Sequence, residues 1–498
     1  MHSSKKTMFK NASALMISQI ITWSLSLALM VFLPRYLGAA ASGQLAFAYS
    51  LWAIAGVLIS FGMDTYLTKE ISRHPERTSE LVGTSVILRV LFFILSFSCM
   101  SFYVHMMKYP PITITVVYLV GISVLLGQIS ITCQSVLYGL ERMEYVSFGV
   151  IAGKLVSTVL GITLLIVGYR LFAIAIVGII AMATEMLMVS GFLHRQHRLR
   201  LRFRLREMLL MIKASTPYLL SALIVTVYFE TDVLLLSILV NETEVGWYSV
   251  AMRLTATFMF FPSIFTTVLF PVIARRYADD REGSFRVMRR SFDLMLLIGV
   301  PIGLGVLSIA KPLVLLLFGS EFEQSGMIVM IMGAALIFTY LSTMFGRFVI
   351  ATDRVNQWTM VIVVAVIATI VMDIYLIPWC HRVFGIGAMA GAISYLLTEF
   401  GMVATGILLL PRGTFAWSNV RTAVLSIGSG AVMVLACWWA HDMLLPITIA
   451  IGACTYISLI LLTRAIPREE IDMLMEVARN LSGRFRRPKA ESPGITGV

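Results

Sequence analysis

The sequence predicts an all-α protein that crosses a membrane about fourteen times, and three observations support this fold class. The 498 residues are 58% apolar and only 13% charged, whereas soluble domains carry about 25% charged residues. The mean hydropathy of the chain is +0.88. Apolar runs of about 20 residues, each long enough to cross a hydrocarbon core of about 30 Å, recur along almost the whole length. These features exclude an ordinary soluble enzyme.

The apolar runs are interpreted as fourteen spans, bounded where charged and turn-forming residues interrupt them. The first span begins at Met8 and has no small-residue cleavage site at its end. We therefore expect a retained helix rather than a signal peptide. The predicted spans cover residues 8–34, 44–66, 81–104, 113–138, 145–167, 171–193, 211–238, 247–272, 288–309, 326–350, 357–377, 384–410, 420–440 and 446–463.

The charges of the loops orient these spans. Lys and Arg concentrate on the side that receives the N-terminus, the loop with Lys69 and Arg73, and the tail after Arg464, whereas few, such as Arg35, fall on the other side. Cytoplasmic loops carry an excess of Lys and Arg. We therefore predict a multi-pass protein of the inner (cytoplasmic) membrane with both termini in the cytoplasm. The same bias accounts for the net charge of +12, so we expect no nucleic-acid partner.

An internal repeat divides the chain into two lobes. The turn with Gly43 between spans one and two resembles the turn with Gly246 between spans seven and eight, and Glu185 in span six matches Glu399 in span twelve. A period of six helices repeats in the same orientation, so the lobes would be related by a pseudo-twofold axis along the membrane normal. The predicted divisions are an N-terminal lobe at 1–194, a basic cytoplasmic linker at 195–210, a C-terminal lobe at 211–410, two C-terminal helices at 411–466, and a cytoplasmic amphipathic helix with a disordered tail at 467–498.

Two basic residues lie near the membrane midplane of the N-terminal half. Arg89 and Lys154 are each about nine residues into their spans, roughly 13 Å from the cytoplasmic edge. Charged groups inside a bilayer are costly and indicate function unless they are paired. One interpretation is a cationic patch that faces a cavity and binds an anion. The alternative is a structural network in which both residues pair with Glu185.

Four further charged residues lie inside spans of the C-terminal half. Asp232 and Arg253 are at the same level across the hairpin of spans seven and eight, which favours a structural ion pair, with Arg253 as a third candidate cavity cation. Glu230 lies deeper and Glu399 lies near the middle of span twelve. Glu185, Glu230, Asp232 and Glu399 are therefore candidates for ion coupling or for a charge network.

Several segments resemble the polysaccharide transporter branch of the multidrug, oligosaccharidyl-lipid and polysaccharide exporter superfamily. The resemblance covers nearly the whole chain in the expected order. The segments that carry it are Arg35-Tyr36-Leu37-Gly38, Gly62-Met63-Asp64-Thr65, Asp232-Val233-Leu234, Val245-Gly246-Trp247-Tyr248, Leu269-Phe270-Pro271 and Leu317-Phe318-Gly319. Members of this branch flip lipid-linked oligosaccharides.

The resemblance implies two six-helix bundles around a central cavity, alternating access, and an undecaprenyl-diphosphate-linked glycan as cargo. The expected partners are this anionic lipid-linked glycan, membrane lipids, and glycosyltransferases and a polymerase of the same pathway. No cofactor is expected, although a proton or sodium gradient stays open as the driving force.

Two alternatives remain at this point. A cation-coupled multidrug antiporter would share the architecture, but it would favour an acidic cavity rather than one with Arg89 and Lys154. A membrane-embedded glycosyltransferase or acyltransferase would need a carboxylate pair for a metal or a buried histidine. The histidines lie at tails, loops or span edges. We therefore predict no catalytic residue and no metal site.

Overall fold

The described part of the chain is helical throughout. The structure, a computed structural model, describes residues 2–196, 205–411 and 413–463, and every regular element in these ranges is a helix. Fourteen helical segments there are long and apolar enough to cross a membrane. The prediction of an all-α polytopic membrane protein is confirmed. Residues 197–204 of the predicted linker and the predicted helix and tail at 467–498 lie outside the described residues, and the predicted domain boundaries remain predictions.

The helices are joined by short turns. The first half of the chain contains α1 (His2–Leu37), α2 (Ala39–Ser60), α3 (Met63–Arg73), α4 (Thr78–Met106), α5 (Pro111–Gly139), α6 (Met143–Val167) and α7 (Leu171–Gln196). The second half contains α8 (Leu205–Leu239), α9 (Glu242–Ala256), α10 (Phe260–Asp279), α11 (Arg281–Phe318), α12 (Glu323–Ala351), α13 (Val355–Phe384) and α14 (Ala388–Leu409). They are followed by α15 (Trp417–Trp439) and α16 (Leu445–Leu462). Short 3-10 turns lie at Pro75–Arg77, Thr257–Met259 and Ser320–Phe322.

The sequence repeat reappears in the side-chain contacts. On α7, Glu185 accepts a hydrogen bond of 3.0 Å from Ser130 of α5. On α14, Glu399 accepts a hydrogen bond of 2.5 Å from Ser342 of α12. The helix pair α5–α7 therefore corresponds to the pair α12–α14, and both pairs pack closely. Equivalent contacts at equivalent places support the predicted two-lobed arrangement.

The two halves meet directly at one membrane face. We call the face with the α1–α2 and α8–α9 turns the hairpin face, and the opposite face, with Lys69 and Arg73, the basic face. A methyl group added to Gly43 of α2 would lie 1.7 Å from the carbonyl oxygen of Glu242, and one added to Gly246 of α9 would lie 2.0 Å from a carbonyl oxygen of α2. The repeated glycines are thus required for the close approach of α2 and α9.

Polar side chains surround this glycine contact. Glu242 accepts hydrogen bonds of 2.7 Å from Gln44 and 2.5 Å from Thr113, both in the first half of the chain. In the turn before α5, the Tyr109 hydroxyl lies 3.0 Å from the hydroxyl of Ser237 on α8. Burial disfavours the charged phenolate and so raises the pKa of Tyr109. The hydroxyl stays protonated, and the hairpin face is held closed by polar contacts as well as by packing.

Two spans are broken inside the bundle. Between α2 and α3, Phe61 and Gly62 both have positive φ angles, 49° and 71°. Between α9 and α10, the 3-10 turn at Thr257–Met259 interrupts the helix, and the Tyr340 hydroxyl donates a hydrogen bond of 2.5 Å to the Phe258 carbonyl oxygen. Irregular backbone at membrane depth is tolerated where it is buried in protein or lines a cavity. The second break does line a cavity, described next.

Candidate functional site

A cavity of about 1140 Å³ opens between the first-half helices and the broken span α9–α10. Its walls come from α1, α2, α5, α6 and α7, whereas the second half contributes only residues 253–263. Many lining side chains carry hydroxyl or amide groups, and Trp23 and Tyr49 add aromatic surface. We call this space the central cavity. Its volume is slightly above the range of about 300–1,000 Å³ that is usual for sites of small organic ligands.

Two of the three predicted cations line the central cavity. Lys154 of α6 and Arg253 of α9 both contribute to its wall, and they lie close enough for their charges to repel each other. Among the ion pairs of the described residues, neither cation has a carboxylate partner within 4.0 Å. Both are candidate cavity cations of the sequence, and their role in substrate binding stays a prediction. Two neighbouring cations without a paired acid form an electrostatic site for an anion.

The third predicted cation, Arg89, lies elsewhere, so its predicted position in the cavity is wrong for this conformation. Its side chain is 0% exposed. One terminal nitrogen donates to the backbone and side-chain oxygens of Gln128, at 2.8 and 2.6 Å, and the other donates to Asp64. The guanidinium is therefore neutralised behind the cavity wall, of which Gln128 is a part.

Glu185 lines the central cavity but does not pair with the basic residues. Its Oε1 atom accepts hydrogen bonds from Ser130 and, at 2.8 Å, from Gln134. It packs against α6, because a methyl group on Gly153 would lie 2.9 Å from the Glu185 Cβ atom. The alternative interpretation, a network of Arg89, Lys154 and Glu185, is therefore wrong. The Glu185 carboxylate, which was expected to pair with the two cations, accepts hydrogen bonds from the neutral side chains of Ser130 and Gln134 instead.

The predicted ion pair between Asp232 and Arg253 is also wrong. Asp232 instead accepts a hydrogen bond from Tyr248 of α9. Tyr248 and Arg253 are five residues apart and so lie about 140° apart around α9. The face of α9 that meets Asp232 is therefore not the face that lines the central cavity. The contact with Tyr248 places Asp232 about 7.5 Å nearer the hairpin turn than Arg253, so the predicted equal depth and the predicted facing angle are both wrong.

Asp232 instead meets a second acid, Asp373 of α13, which the sequence analysis missed. Their carboxyl groups lie close enough for each to influence the charge of the other, and the two residues are 4% and 0% exposed. Ser394 of α14 donates a hydrogen bond of 2.5 Å to Asp373. One oxygen of each carboxyl group, Asp232 Oδ1 and Asp373 Oδ2, is buried without a hydrogen-bond partner. We call these two residues the acidic pair. Two buried carboxylates in contact require a proton or a cation between them.

The other two acidic candidates have different surroundings. Glu399 is 3% exposed, and besides Ser342 it accepts a hydrogen bond of 3.1 Å from Tyr228. Glu230 is close enough to Arg253 and Asp232 to influence their charges. Neither residue lines the central cavity. Within the described residues, no group of three or more potential metal ligands is found.

Comparison with known proteins relates this architecture to transport proteins. The family model described as "Polysaccharide biosynthesis protein" matches residues 8–277, which is more than half of the chain. The chain belongs to this family. A second family model, MatE, matches residues 217–375 in the other half. The resemblance to the polysaccharide branch of the exporter superfamily is therefore confirmed.

A curated relative and two solved structures agree with this family. The chain is 25% identical over 171 residues to the "Probable low-salt glycan biosynthesis flippase Agl15" of Haloferax volcanii; the match covers 34% of this chain and 35% of the relative. The lipid II flippase MurJ in an inward closed conformation matches 92% of this chain and 99% of its own, with a TM-score of 0.68 and 12% identity. An inward-facing MATE family multidrug transporter matches 83% of this chain and 98% of its own, with a TM-score of 0.64 and 14% identity. At these identities the two structures establish the fold.

Proposed function

We propose that this protein flips a polyprenyl-diphosphate-linked oligosaccharide across the cytoplasmic membrane by alternating access, for the synthesis of a cell-surface polysaccharide. The observation that carries the proposal is the pair of cations, Lys154 and Arg253, in the wall of the central cavity. A lipid diphosphate brings two negative charges into a site of low dielectric, where charge-assisted hydrogen bonds are strong. The family of glycan biosynthesis proteins supports a glycan as the rest of the cargo.

The remaining wall of the cavity suits a sugar. Hydroxyl and amide groups from α1 and α5, among them Gln19, Thr22 and Ser123, line the same space as the aromatic ring of Trp23. Sugar hydroxyls need hydrogen-bond partners when they leave water, because an unpaired polar group in an apolar site is costly. The cavity thus offers cations for a diphosphate and neutral polar groups for a glycan.

The proposed orientation puts the hairpin face outside and the basic face in the cytoplasm. The charge bias of the loops supports it, since Lys69, Arg73 and Arg77 lie at the basic face. The closed contact of α2 and α9 would then seal the outer side. In this orientation the protein receives a lipid-linked glycan from cytoplasmic glycosyltransferases and delivers it to an outer polymerase.

We infer that an ion gradient drives the cycle through the acidic pair. Asp232 and Asp373 lie between α8 and α13, away from the central cavity, and each retains an unpartnered oxygen. A proton or a sodium ion that binds there would change the charge of a buried contact between two helices. Such a change biases a conformational equilibrium when the two conformations differ in ion affinity.

A cation-coupled multidrug antiporter is the second candidate, because the MatE family model matches residues 217–375. Such a protein would take cationic or neutral drugs as cargo. Lys154 and Arg253 in the cavity wall would repel a cation and attract an anion. The third alternative, a membrane-embedded glycosyltransferase or acyltransferase, has no support among the relatives, whose names describe flippases and transporters.

Flipping in reconstituted vesicles tests the proposed cargo. Lys154→Ala and Arg253→Ala are each expected to slow the flipping of a polyprenyl-diphosphate-linked oligosaccharide about 10- to 100-fold, since one charged hydrogen bond contributes about 1.5–3 kcal/mol. The rate is measured as the fraction of lipid-linked glycan that becomes accessible to a glycosidase outside the vesicle.

A matched control separates charge from folding. Lys311→Ala removes an exposed lysine that pairs at 2.7 Å with Glu323 and does not line the central cavity. This variant is expected to leave the flipping rate unchanged. Lys154→Arg keeps the positive charge and is expected to retain most of the rate. Normal glycan flipping by the Lys154→Ala/Arg253→Ala double variant, at normal protein levels, would contradict the proposal, and export of a cationic dye by the same vesicles would favour the antiporter.

A further inference from the structure

Arg89, Asp64 and Gln128 form a bridge through the wall between two water-accessible spaces. On one side, Gln128 lines the central cavity. On the other side, Asp64 lines a second space of about 860 Å³ that opens at the basic face between α3, α5 and the start of α6. We call this second space the basic-face crevice. The fully buried Arg89 guanidinium lies between them and contacts both residues.

Asp64 and Arg89 differ in access to water. The Asp64 side chain is 36% exposed, whereas that of Arg89 is 0% exposed. A proton from the crevice can therefore reach the acid but not the base. Among the described ion pairs, Asp64 is the acid that neutralises Arg89, and the Arg89 Nε atom is already buried without a partner. A buried guanidinium that loses its acid is strongly destabilised unless another anion replaces it.

An anion in the central cavity is such a replacement. The Arg89 Nη1 atom is 2.6 Å from the side-chain oxygen of Gln128, so a rotation of the Gln128 amide would leave the guanidinium facing the cavity. There it would join Lys154 and Arg253. The diphosphate and Asp64 would then compete for the same cation.

We propose that Asp64 is a proton-binding site coupled to cargo binding: the anionic cargo draws Arg89 away from Asp64, and Asp64 then takes up a proton from the basic-face crevice. The inference rests on the proposed anionic cargo. Because coupling between two sites is reciprocal, protonation of Asp64 must in turn strengthen cargo binding. The site lies in the first half of the chain and is separate from the acidic pair in the second half.

The position of Asp64 gives this exchange a mechanical consequence. Asp64 lies in the first turn of α3, directly after the break at Phe61 and Gly62. Gln128 also donates a hydrogen bond of 3.1 Å to the Gly56 carbonyl oxygen in the last turns of α2. The Asp64–Arg89–Gln128 bridge thus ties together both sides of the break. When the ion pair opens, α3 loses a tether beside a crevice that provides space for its movement.

Other ionisable groups near the bridge must be separated from Asp64 in any test. Glu185 is the nearest cavity acid, since its partner Gln134 also lines the crevice. The remaining titratable or charged groups around the bridge are Cys133 and Tyr138 of α5, Lys69 of α3, Glu141 after α5, and Glu207 and Tyr218 of α8.

The test measures proton uptake when the full-length protein in nanodiscs binds polyprenyl-diphosphate-N-acetylglucosamine. This probe is a diphosphate diester, so it lacks the second ionisation near pH 6 of a phosphate monoester. Titration calorimetry in buffers of different ionisation enthalpy gives the affinity and the number of protons taken up. The wild-type protein is expected to take up a proton on binding, and its affinity for the probe is therefore expected to rise as the pH is lowered.

Asp64→Asn imitates the protonated acid and leaves Arg89 free. This variant is expected to bind the probe roughly tenfold more tightly than the wild type at pH 8 and to take up no proton. A gain of affinity distinguishes the proposed exchange from a purely structural role, which would predict a loss. Asp64→Asn/Arg89→Met removes both charges, so it is expected to fold even where Asp64→Asn does not. The double variant is expected to bind the probe more weakly than Asp64→Asn and with an affinity that does not depend on pH.

Two controls complete the design. Glu185→Gln removes the nearest cavity acid, and loss of proton uptake in this variant but not in Asp64→Asn would assign the proton to Glu185 and overturn the inference. Lys154→Ala is expected to bind more weakly at every pH but to retain proton uptake; normal binding by Lys154→Ala would count against the proposed cargo site and leave the Asp64 result interpretable. Absence of proton uptake in the wild type, or unchanged affinity in Asp64→Asn, would overturn the inference.

Discussion

Replacing Gly43 or Gly246 with alanine is expected to reduce glycan flipping about 100-fold or more. The added methyl group would lie 1.7 Å from the Glu242 carbonyl oxygen in the first variant and 2.0 Å from the Ala39 carbonyl oxygen in the second. Neither neighbour is a side chain that can rotate away. Overpacking typically costs about 1–3 kcal/mol, and the backbone neighbours put these two sites at the upper end; about 3 kcal/mol corresponds to roughly 100-fold in a rate or population. The hairpin face would remain open, and alternating access requires that it close.

Thiol labelling at Ser42 reports the closure directly. Ser42 is 4% exposed next to Gly43, and its hydroxyl is buried without a hydrogen-bond partner, so Ser42→Cys is a conservative reporter. With the native cysteines replaced by alanine, this introduced thiol should be protected from a membrane-impermeant maleimide in the otherwise wild-type protein. It should react readily in the Gly43→Ala and Gly246→Ala backgrounds.

Gly401→Ala supplies the matched control. Gly401 is a helical glycine of α14, and a methyl group added there would meet no other atom within 4 Å. This variant should therefore flip glycan at the wild-type rate and leave the introduced thiol protected. If Gly43→Ala behaved like Gly401→Ala in both assays, the close contact of α2 and α9 would not be needed for transport.

The number and order of the helices could be predicted from the sequence because they depend on hydropathy alone. A run of about 20 apolar residues in a membrane must form the hydrogen bonds of its backbone N–H and C=O groups internally, and a helix does so. The equivalence of Glu185 and Glu399 could also be predicted, since it follows from the repeat. The glycine contact was only partly predicted. The repeat located Gly43 and Gly246, but the packing of these residues against each other depends on the orientation of the two halves relative to each other.

The partners of the charged residues could not be predicted from depth alone. Residue counting puts Arg253 and Asp232 at about the same depth, yet Asp232 meets Tyr248, which lies about 7.5 Å before Arg253 along α9 and on a different face of that helix. Likewise, Arg89 is as deep as Lys154, yet it is neutralised by Asp64 and lies behind the cavity wall. Depth follows from counting residues, whereas pairing requires the facing angle of each helix, which is determined by packing against its neighbours.

Asp373 was missed although the sequence carried a signal for it. It is an acid inside the predicted span 357–377, and the depth argument that selected Glu230 applies to it equally. Asp64 lies in one of the segments that carry the family resemblance, at the end of a predicted span, and no role was predicted for it. Its importance depends on the break at Gly62, which keeps Asp64 inside the bundle and within reach of Arg89.

Asp232→Asn and Asp373→Asn are expected to uncouple flipping from the ion gradient. Asparagine keeps the size of the side chain and a hydrogen-bond acceptor for Tyr248 or Ser394, but it removes the charge that attracts a proton or a sodium ion. One elementary charge that moves through 100 mV contributes about 2.3 kcal/mol, which is roughly a 50-fold change in the distribution of cargo between leaflets. Each variant should lose this accumulation and flip glycan equally in both directions.

The measurement uses vesicles in which a proton gradient and a sodium gradient are imposed separately. For the wild type, the gradient that makes the lipid-linked glycan accumulate in one leaflet identifies the coupling ion. Asp293→Asn is the control, because Asp293 lies in the same half of the chain and accepts a hydrogen bond of 2.9 Å from Asn419, outside the acidic pair. This control variant should still accumulate the lipid-linked glycan in one leaflet.

Because the acidic pair does not line the central cavity, its variants should still bind the lipid-linked glycan with normal affinity, whereas Lys154→Ala should not. Accumulation that survives in both Asp232→Asn and Asp373→Asn would show that the energy enters the cycle elsewhere.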